Sequence, residues 1–155
     1  MRTLRWTRQI CLLWALAVFL PVLGAPAAAQ TPSLPSPQQF FGFEMGADRK
    51  LAGWDKLHEY YQVLAKGSDR MKLVELGKTS EGRPYIALFI SSPANLAKLD
   101  QYREMNAKLA DPRGVPEAEI ERIIQQGKAV VIQSFGLHST EVAAAQTAAQ
   151  FVHES

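Results

Sequence analysis

Residues 128–151 read KAVVIQSFGLHSTEVAAAQTAAQF, and this stretch decides the fold expected of the chain. Its apolar start predicts a buried strand over Ala129–Ser134, followed by a tight turn at Gly136. Its alanine-rich end predicts a helix from about Thr140 that is smooth enough to pack closely on a sheet. The point where a strand ends and a helix begins is where open α/β sheets bind their ligands.

Two residues near this turn carry chemistry. His138 lies in the turn, and Glu141 lies three residues later, in the expected first turn of the helix. Residues three apart share a face, so an imidazole nitrogen and a carboxylate are directed to one point. These are two of the ligand types of a catalytic zinc site, which takes three protein ligands and keeps one position for water. The alternative is a turn histidine beside a first-turn Glu that only complements the helix dipole.

The first 29 residues have the three parts of a secretory signal peptide. A basic start precedes an apolar run over Ile10–Leu23, and Ala27–Ala29 supplies small residues for cleavage before Gln30. The run has 14 residues, counted Ile10 through Leu23, whereas a membrane-spanning helix needs about 20. We therefore expect cleavage near Ala29, a secreted or periplasmic product and no membrane anchor afterwards. The alternative is an uncleaved anchor.

The charge balance excludes one class of partner. The 155 residues include 17 Lys or Arg and 15 Asp or Glu. Three of the basic residues (Arg2, Arg5 and Arg8) lie in the signal, so 14 basic residues remain against 15 acidic ones, a net charge near −1. Nucleic-acid binding is therefore not expected. The single cysteine, Cys11, also lies in the signal, so the processed chain can form no disulfide.

The remaining chain divides into a linker and one domain. Residues 30–50 form a linker and N-terminal segment, because Thr31–Gln38 contains three prolines and is expected to be extended. Residues 51–155 are expected to belong to one small domain, as all or part of it. Three aromatic residues are expected to pin the N-terminal segment on the core, or alternatively to line the rim of a cleft: Phe40, Phe41 and Phe43.

Periodicity and turn residues predict the other elements of the domain. They are a helix over Leu51–Lys66, two strands over Met71–Gly77 and Pro84–Ser91 joined as an antiparallel hairpin, a helix from Pro93 to about Leu109, and a short helix from Pro116 that ends at Gly127. His58 is expected on the polar, solvated side of the first of these helices.

With these elements placed, the chain resembles the zinc carboxypeptidases, the carboxypeptidase A-like metallopeptidases. Residues 76–91, LGKTSEGRPYIALFIS, resemble the family's Gly-x-[Ser/Thr]-x-Glu-Gly-Arg-Pro hairpin. Residues 135–141, FGLHSTE, are similar to its Gly-x-His-x-x-Glu zinc motif, and an alanine-rich helix follows. The three pieces occur in the family's order, and the resemblance covers roughly residues 51–152.

The resemblance implies an α/β fold, a mixed sheet sandwiched by helices, which is incomplete in this chain. His138 and Glu141 match the first two zinc ligands, with zinc at the C-terminal edge of the strands. The implied reaction is hydrolysis of a peptide or protein substrate by a zinc-activated water. Arg83 is interpreted as a residue that fixes its own turn and does not touch substrate.

One departure from the family pattern affects the substrate. The residue before the zinc-binding Glu is often an Arg that contacts substrate in peptidases of the family, but here it is Thr140. A zinc-dependent deacylase or amidohydrolase on the same fold is therefore an alternative to the peptidase.

The third zinc ligand and the general base come from farther downstream in the family. Of the other two histidines, His153 lies 12 residues beyond Glu141, about 18 Å along one helix. That is too far for coordination bonds of about 2 Å. His58 lies on a distant helix. The chain stops within a helix, so we expect an N-terminal portion that is inactive alone, with the general base beyond Ser155. A non-catalytic carboxypeptidase-like domain is the remaining alternative.

Overall fold

The computed structural model of the chain describes residues 33–155. The expected signal peptide, its cleavage site and Cys11 lie outside the described residues. Within this range the elements follow in the order α1 (Pro37–Phe41), α2 (Trp54–Gly67), β1 (Met71–Lys78), β2 (Pro84–Ile90), α3 (Pro93–Leu96), α4 (Leu99–Ala110), α5 (Glu117–Gln126) and α6 (Val142–Glu154). Among these residues, none of the helices is long and apolar enough to cross a membrane.

The expected hairpin is confirmed. Strands β1 and β2 pair antiparallel, with Met71 opposite Ile90. One extra residue, Leu76, interrupts the register between Glu75 and Gly77, and such a bulge increases the local twist of the strand. In the part of the chain that the structure describes, the sheet has two strands. The expected class, α/β with an incomplete sheet, is thus confirmed.

The hairpin turn is closed by main-chain and threonine contacts. Gly82 has φ +76°, in the left-handed region that glycine occupies without strain. The Thr79 N–H donates to the Arg83 carbonyl at 2.9 Å, and Thr79 Oγ1 accepts from the Arg83 N–H at 3.2 Å. The Arg83 guanidinium lies on the surface, 3.4 Å from a carboxylate oxygen of Glu81. The contacts of Arg83 therefore stay within its own turn.

Helix α2 supplies the largest part of the core. It begins at Trp54 and not at Leu51 as predicted, because Gly53 is extended, with φ −73° and ψ 157°. Its buried stripe consists of Leu57, Tyr60, Tyr61 and Leu64. Burying one large apolar side chain contributes about 1.5–3 kcal/mol, so this stripe fixes the helix on the hairpin.

The N-terminal segment is more structured than predicted. The extended linker was expected to reach Gln38, but helix α1 begins at Pro37. A capping box starts it: Ser36 Oγ accepts from the Gln39 N–H at 3.2 Å, and the Ser36 N–H donates to Gln39 Oε1 at 2.8 Å. These reciprocal bonds satisfy donors that would otherwise be unpaired at the helix start, which explains why a proline-rich segment becomes helical.

The three phenylalanines pin this segment on the core, as predicted. The ring centroids of Phe40 and Phe41 lie 4.9 Å and 5.4 Å from that of Tyr60. Phe43 stacks 6.0 Å from Phe41 at a tilt. The Tyr60 hydroxyl, whose residue is fully buried, donates to the Pro35 carbonyl at 2.9 Å. Aromatic packing and one hydrogen bond therefore anchor the chain before α2.

The helical region between the hairpin and the turn at Gly136 differs in one respect from the prediction. The single helix expected over residues 93–109 is divided into α3 and α4, since Lys98 leaves helical geometry, with φ −115° and ψ 18°. Helix α5 follows as predicted, and it packs on α4 with Met105 and Ile123 buried. Helices α4 and α5 therefore form a pair. Their buried residues, Met105 and Ile123, lie outside the main core cluster around α2.

The predicted buried strand over Ala129–Ser134 is wrong for this structure. Within residues 33–155 the segment pairs with no strand, and Val130, Val131 and Ile132 are 61%, 87% and 88% exposed. A buried strand needs a hydrogen-bonded neighbour and layers on both faces. Strands β1 and β2 pair only with each other in the described chain, so neither supplies that neighbour.

Helix α6 joins the same core as the hairpin. It begins at Val142 and not at Thr140. Ala149 is fully buried and Val152 is 6% exposed, and both contact the cluster around α2. The complete cluster consists of Ala52, Leu57, Tyr60, Tyr61, Leu64, Met71, Ala149 and Val152. Core packing therefore places the end of α6, while its beginning extends toward the turn that contains His138.

Candidate metal centre

The turn before α6 positions the two candidate ligands. Gly136 has φ +76°, which redirects the chain at little cost because glycine has no Cβ. Glu141 was expected in the first helical turn, but it occupies the cap position before the helix, with φ −91° and ψ 69°. Its N–H donates to the His138 carbonyl at 3.1 Å, and its carbonyl accepts from the Ala144 N–H at 3.2 Å. The main chain thus ties Glu141 to both the turn and the helix.

The two candidate side chains are brought together as the spacing predicts. His138 Nδ1 lies 2.9 Å from Glu141 Oε1. The side chains of His138 and Glu141 are 66% and 59% exposed, so both are open to solvent and to an incoming ion. One nitrogen and one carboxylate oxygen therefore point to the same region of the surface.

This donor set fits a zinc ion in chemistry and nearly in spacing. Zinc binds imidazole nitrogen and carboxylate oxygen at about 2.0–2.2 Å, so two such atoms in a tetrahedral sphere lie about 3.3–3.5 Å apart. The observed separation between His138 Nδ1 and Glu141 Oε1 is 2.9 Å. Because both side chains are exposed, a small rotation about their side-chain bonds widens this separation. The pair can serve as two ligands of one ion.

The other histidines do not complete the site. His58 was expected to be solvated, but it is half-buried and stacks on Trp54, with ring centroids 6.2 Å apart. His153 is half-buried near the end of α6, and its Nδ1 has no hydrogen-bond partner among residues 33–155. In that same range, no group of three or more His, Cys, Asp or Glu side chains could hold a metal ion. Among the described residues, the candidate ligands are therefore the two at the turn, His138 and Glu141.

An aromatic contact that the sequence analysis missed supports the turn. Phe135, directly before Gly136, packs on Phe151 of α6, with ring centroids 5.6 Å apart and an angle of 48°. Such a contact is worth about 0.5–1.5 kcal/mol beyond the area it buries. The only signal in the sequence was an aromatic residue beside the turn and another on the helix. The contact ties the beginning of the turn to the helix that follows Glu141.

Comparison with protein-family models gives one result that decides the family. A model described as zinc carboxypeptidase matches residues 57–155. That range comprises 99 of the 155 residues, counted 57 through 155. The chain belongs to the zinc carboxypeptidase family. The search of curated proteins found no match, and neither did the search of solved structures.

Membership in the zinc carboxypeptidase family confirms the resemblance drawn from the two motifs. The matched range begins at Leu57 in α2 and includes the hairpin, the turn and α6. It therefore contains both His138 and Glu141. Zinc carboxypeptidases are zinc-dependent hydrolases in general, which agrees with the ligand types found at the turn.

Proposed function

We propose that His138 and Glu141 are two ligands of a catalytic zinc ion, and that the complete protein is an exported metallocarboxypeptidase. The observation that carries this proposal is the 2.9 Å separation between His138 Nδ1 and Glu141 Oε1. The pair lies within the range that matches the zinc carboxypeptidase model. A family match without such a pair would support the fold alone.

Each part of the turn has a defined task in this proposal. His138 offers neutral imidazole through Nδ1, and Glu141 offers a carboxylate oxygen. The bond from the Glu141 N–H to the His138 carbonyl, 3.1 Å long, holds the two residues in register. A bound zinc would polarise the scissile carbonyl and lower the pKa of its water. The third ligand and the general base are to be sought outside the described residues.

The test uses the complete secreted protein, with zinc content and peptide hydrolysis measured on the same preparation. We expect stoichiometric zinc and release of C-terminal residues from peptides. We also expect that a chelator abolishes hydrolysis and that His138→Ala abolishes zinc binding and hydrolysis together. Hydrolysis that survives both the chelator and the substitution would show that the metal assignment is wrong.

Thr140 favours a second candidate, a zinc-dependent deacylase on the same fold. Thr140 is exposed in the turn between the two proposed ligands, at the position where peptidases of the family often have a substrate-binding arginine. Thr140 has no guanidinium, so the contact that this arginine makes with a peptide substrate is absent here. A deacylase would cleave N-acetylated amino acids and leave longer peptides intact, so assays on both substrate classes distinguish the two. A non-catalytic domain would cleave neither N-acetylated amino acids nor peptides, and it would bind no zinc.

We also propose that the protein is exported and that its signal peptide is removed near Ala29. This rests on the basic start, the apolar run over Ile10–Leu23 and the small residues before Gln30. N-terminal sequencing of the secreted protein should begin near Gln30. A first residue of Met1, or a product that stays with the membrane fraction, would contradict the proposal.

A further inference from the structure

One side chain attaches the exposed segment before α6 to the rest of the described chain. Residues 128–143 are all exposed except Phe135, which is half-buried. Ile132 and Leu137 are as apolar as Phe135, yet they are 88% and 84% exposed. Phe135 is therefore the point at which this segment packs, and it lies three residues before His138.

The partner of Phe135 is Phe151, in the last turn of α6. Their ring centroids are 5.6 Å apart and the ring planes are inclined by 48°, within the separation of about 4.5–7 Å typical of aromatic pairs. Phe151 is 43% exposed, whereas its neighbours Ala149 and Val152 are buried in the core cluster. Because the core holds α6 in place, α6 holds Phe151, and the ring of Phe151 places Phe135.

Residues 136–140, which we call the His138 turn, are attached to α6 at two separate points. The end of the turn is attached through Glu141, which caps the helix and donates its N–H to the His138 carbonyl at 3.1 Å. The beginning is attached through Phe135 to Phe151, which lies ten residues after Glu141, about 15 Å farther along the helix axis. Two attachments that far apart on one helix restrict both the position and the direction of the chain between them.

The surroundings of His138 supply little other restraint. Its side chain is 66% exposed, and its Nδ1 contacts Glu141 Oε1 at 2.9 Å. Gly136, between Phe135 and His138, has φ +76°, and glycine has more backbone freedom than any other residue. Without the contact between the rings, the chain from residue 128 to Glu141 has no packed side chain. Fixing His138 at a metal would then cost more conformational entropy.

The contact between Phe135 and Phe151 is separate from the main core. Among the described residues, the core cluster around α2 and the side chains packed against it include neither of these two phenylalanines. Removing one of their rings therefore leaves the packing of α2, the hairpin and α6 intact. The consequence of the contact is confined to the His138 turn.

We propose that Phe151, acting through Phe135, positions the His138 turn for metal binding. The proposal rests on the proposed function of His138 and Glu141 as zinc ligands. Phe151 is a positioning residue and not a ligand, since its hydrocarbon ring has no atom that coordinates zinc. Restricting the turn before the metal arrives reduces the conformational freedom lost on binding, so Phe151 raises the zinc affinity without touching the ion.

The test measures the zinc affinity of the complete protein by competition with a chromophoric chelator. Phe151→Ala removes a partly exposed ring and introduces the best helix former. We expect its Kd for zinc to rise about fivefold, because an aromatic contact is worth a factor of about 2–12. Phe151→Tyr keeps the ring and should keep the affinity. Phe135→Leu removes the same contact from its other side, should raise Kd similarly, and serves if Phe151→Ala fails to fold.

Two further variants separate positioning from a general loss of stability. Tyr60→Phe removes the hydrogen bond from the Tyr60 hydroxyl to the Pro35 carbonyl, away from the His138 turn, and should lower stability but leave the zinc affinity unchanged. The double variant Phe135→Leu/Phe151→Ala should bind zinc no more weakly than either single variant, because both substitutions remove one shared contact. Additive losses would show that the two rings act separately and would overturn the proposal.

A measurement on the metal-free protein reports the turn itself. In nitrogen-15 relaxation experiments, the order parameters of the Leu137 and His138 backbone amides should fall in Phe151→Ala and be restored in Phe151→Tyr. An unchanged zinc affinity in a folded Phe151→Ala protein would overturn the proposal, whatever its amides show, and would leave the zinc assignment standing. An unaltered protein that binds no zinc would instead refute the proposed function, and this proposal with it.

Discussion

His138 Nδ1 and Glu141 Oε1 lie 2.9 Å apart across a turn whose main chain also joins the two residues. The side-chain pair and the main-chain bond act together. The hydrogen bond from the Glu141 N–H to the His138 carbonyl restrains the distance between the Cα atoms of the two residues. The two proposed ligand atoms therefore lie close together in the absence of an ion. This relationship is the basis of the first prediction.

Removing the charge of Glu141 should strongly weaken zinc binding by the complete protein. Glu141→Gln keeps the size of the side chain but replaces the carboxylate with a neutral amide. Losing a partner that only orients a ligand costs about 10–100-fold in metal affinity, so losing this ligand should cost more than about 100-fold. Competition with a chromophoric chelator measures the affinity. His58→Ala, which removes a histidine stacked on Trp54, is the control and should keep the affinity of the unaltered protein.

Replacing Gly136 should strain the turn that carries His138. Gly136 has φ +76°, and a Cβ built on it meets no atom within 4 Å, so the cost comes only from the backbone conformation. We expect Gly136→Ala to lower the free energy of unfolding by about 1–2 kcal/mol. Asn tolerates the left-handed region better than Ala, so Gly136→Asn should lower it less. Urea denaturation measures both, and equal values for the two variants would contradict the interpretation.

The hydroxyl of Tyr60 should stabilise the N-terminal segment. It donates to the Pro35 carbonyl at 2.9 Å within a residue that is fully buried. Tyr60→Phe keeps the aromatic packing and should lower the free energy of unfolding by about 1 kcal/mol, the net worth of one hydrogen bond. The control is Tyr85→Phe, since Tyr85 is 59% exposed. If both variants unfold at the same urea concentration as the unaltered protein, the bond contributes nothing.

The pair of helices α4 and α5 should lose stability in acid. The Arg122 guanidinium donates to both carboxylate oxygens of Glu119 at 2.8 Å, and Lys108 Nζ lies 3.1 Å from one of them. These bonds lower the pKa of Glu119 to about 2. Because the pKa of Glu119 is lower in the folded chain than in the unfolded one, the stabilisation is fully present above about pH 4.3, the ordinary pKa of a glutamate. It disappears as the pH falls through the folded value.

Thermal unfolding from pH 6 to pH 2 checks this expectation. The melting temperature of Glu119→Gln should lie below that of the unaltered protein at pH 6, and the difference should close toward pH 2. The difference should be modest, because ion pairs at the surface are screened by solvent. Glu117→Gln, in the same helix, is the control and should show no such closing. A difference that is as large at pH 2 as at pH 6 would rule out the carboxylate as its source.

Much of the local structure follows from the sequence. The apolar stripe of α2, the hairpin around Gly82 and the tight turn at Gly136 were all predicted from spacing and turn residues. The pairing of His138 with Glu141 was predicted too, because three residues across a turn bring two side chains to one side of the chain whatever surrounds them. These features depend on neighbours in sequence.

Other features were wrongly predicted or missed because distant residues decide them. The segment Ala129–Ser134 has the composition of a buried strand, yet a strand exists only when another strand supplies its hydrogen bonds. Helix α1 is the exception, because its cause is local: the Ser36–Gln39 capping box outweighed three nearby prolines. Phe135 was not connected with Phe151, 16 residues away, because their contact depends on the path of the turn.

By itself, the sequence determined the family, the two candidate zinc ligands and most helix positions, since motif order and hydrophobic period are local properties. Only the tertiary structure decided that residues 44–51 lie against α6 and that the buried Gln146 accepts a hydrogen bond from the Gly46 N–H through its amide oxygen. These two residues are 100 positions apart. Their contact results from the packing of α1, α2 and α6 around one core, which no local pattern of residues encodes.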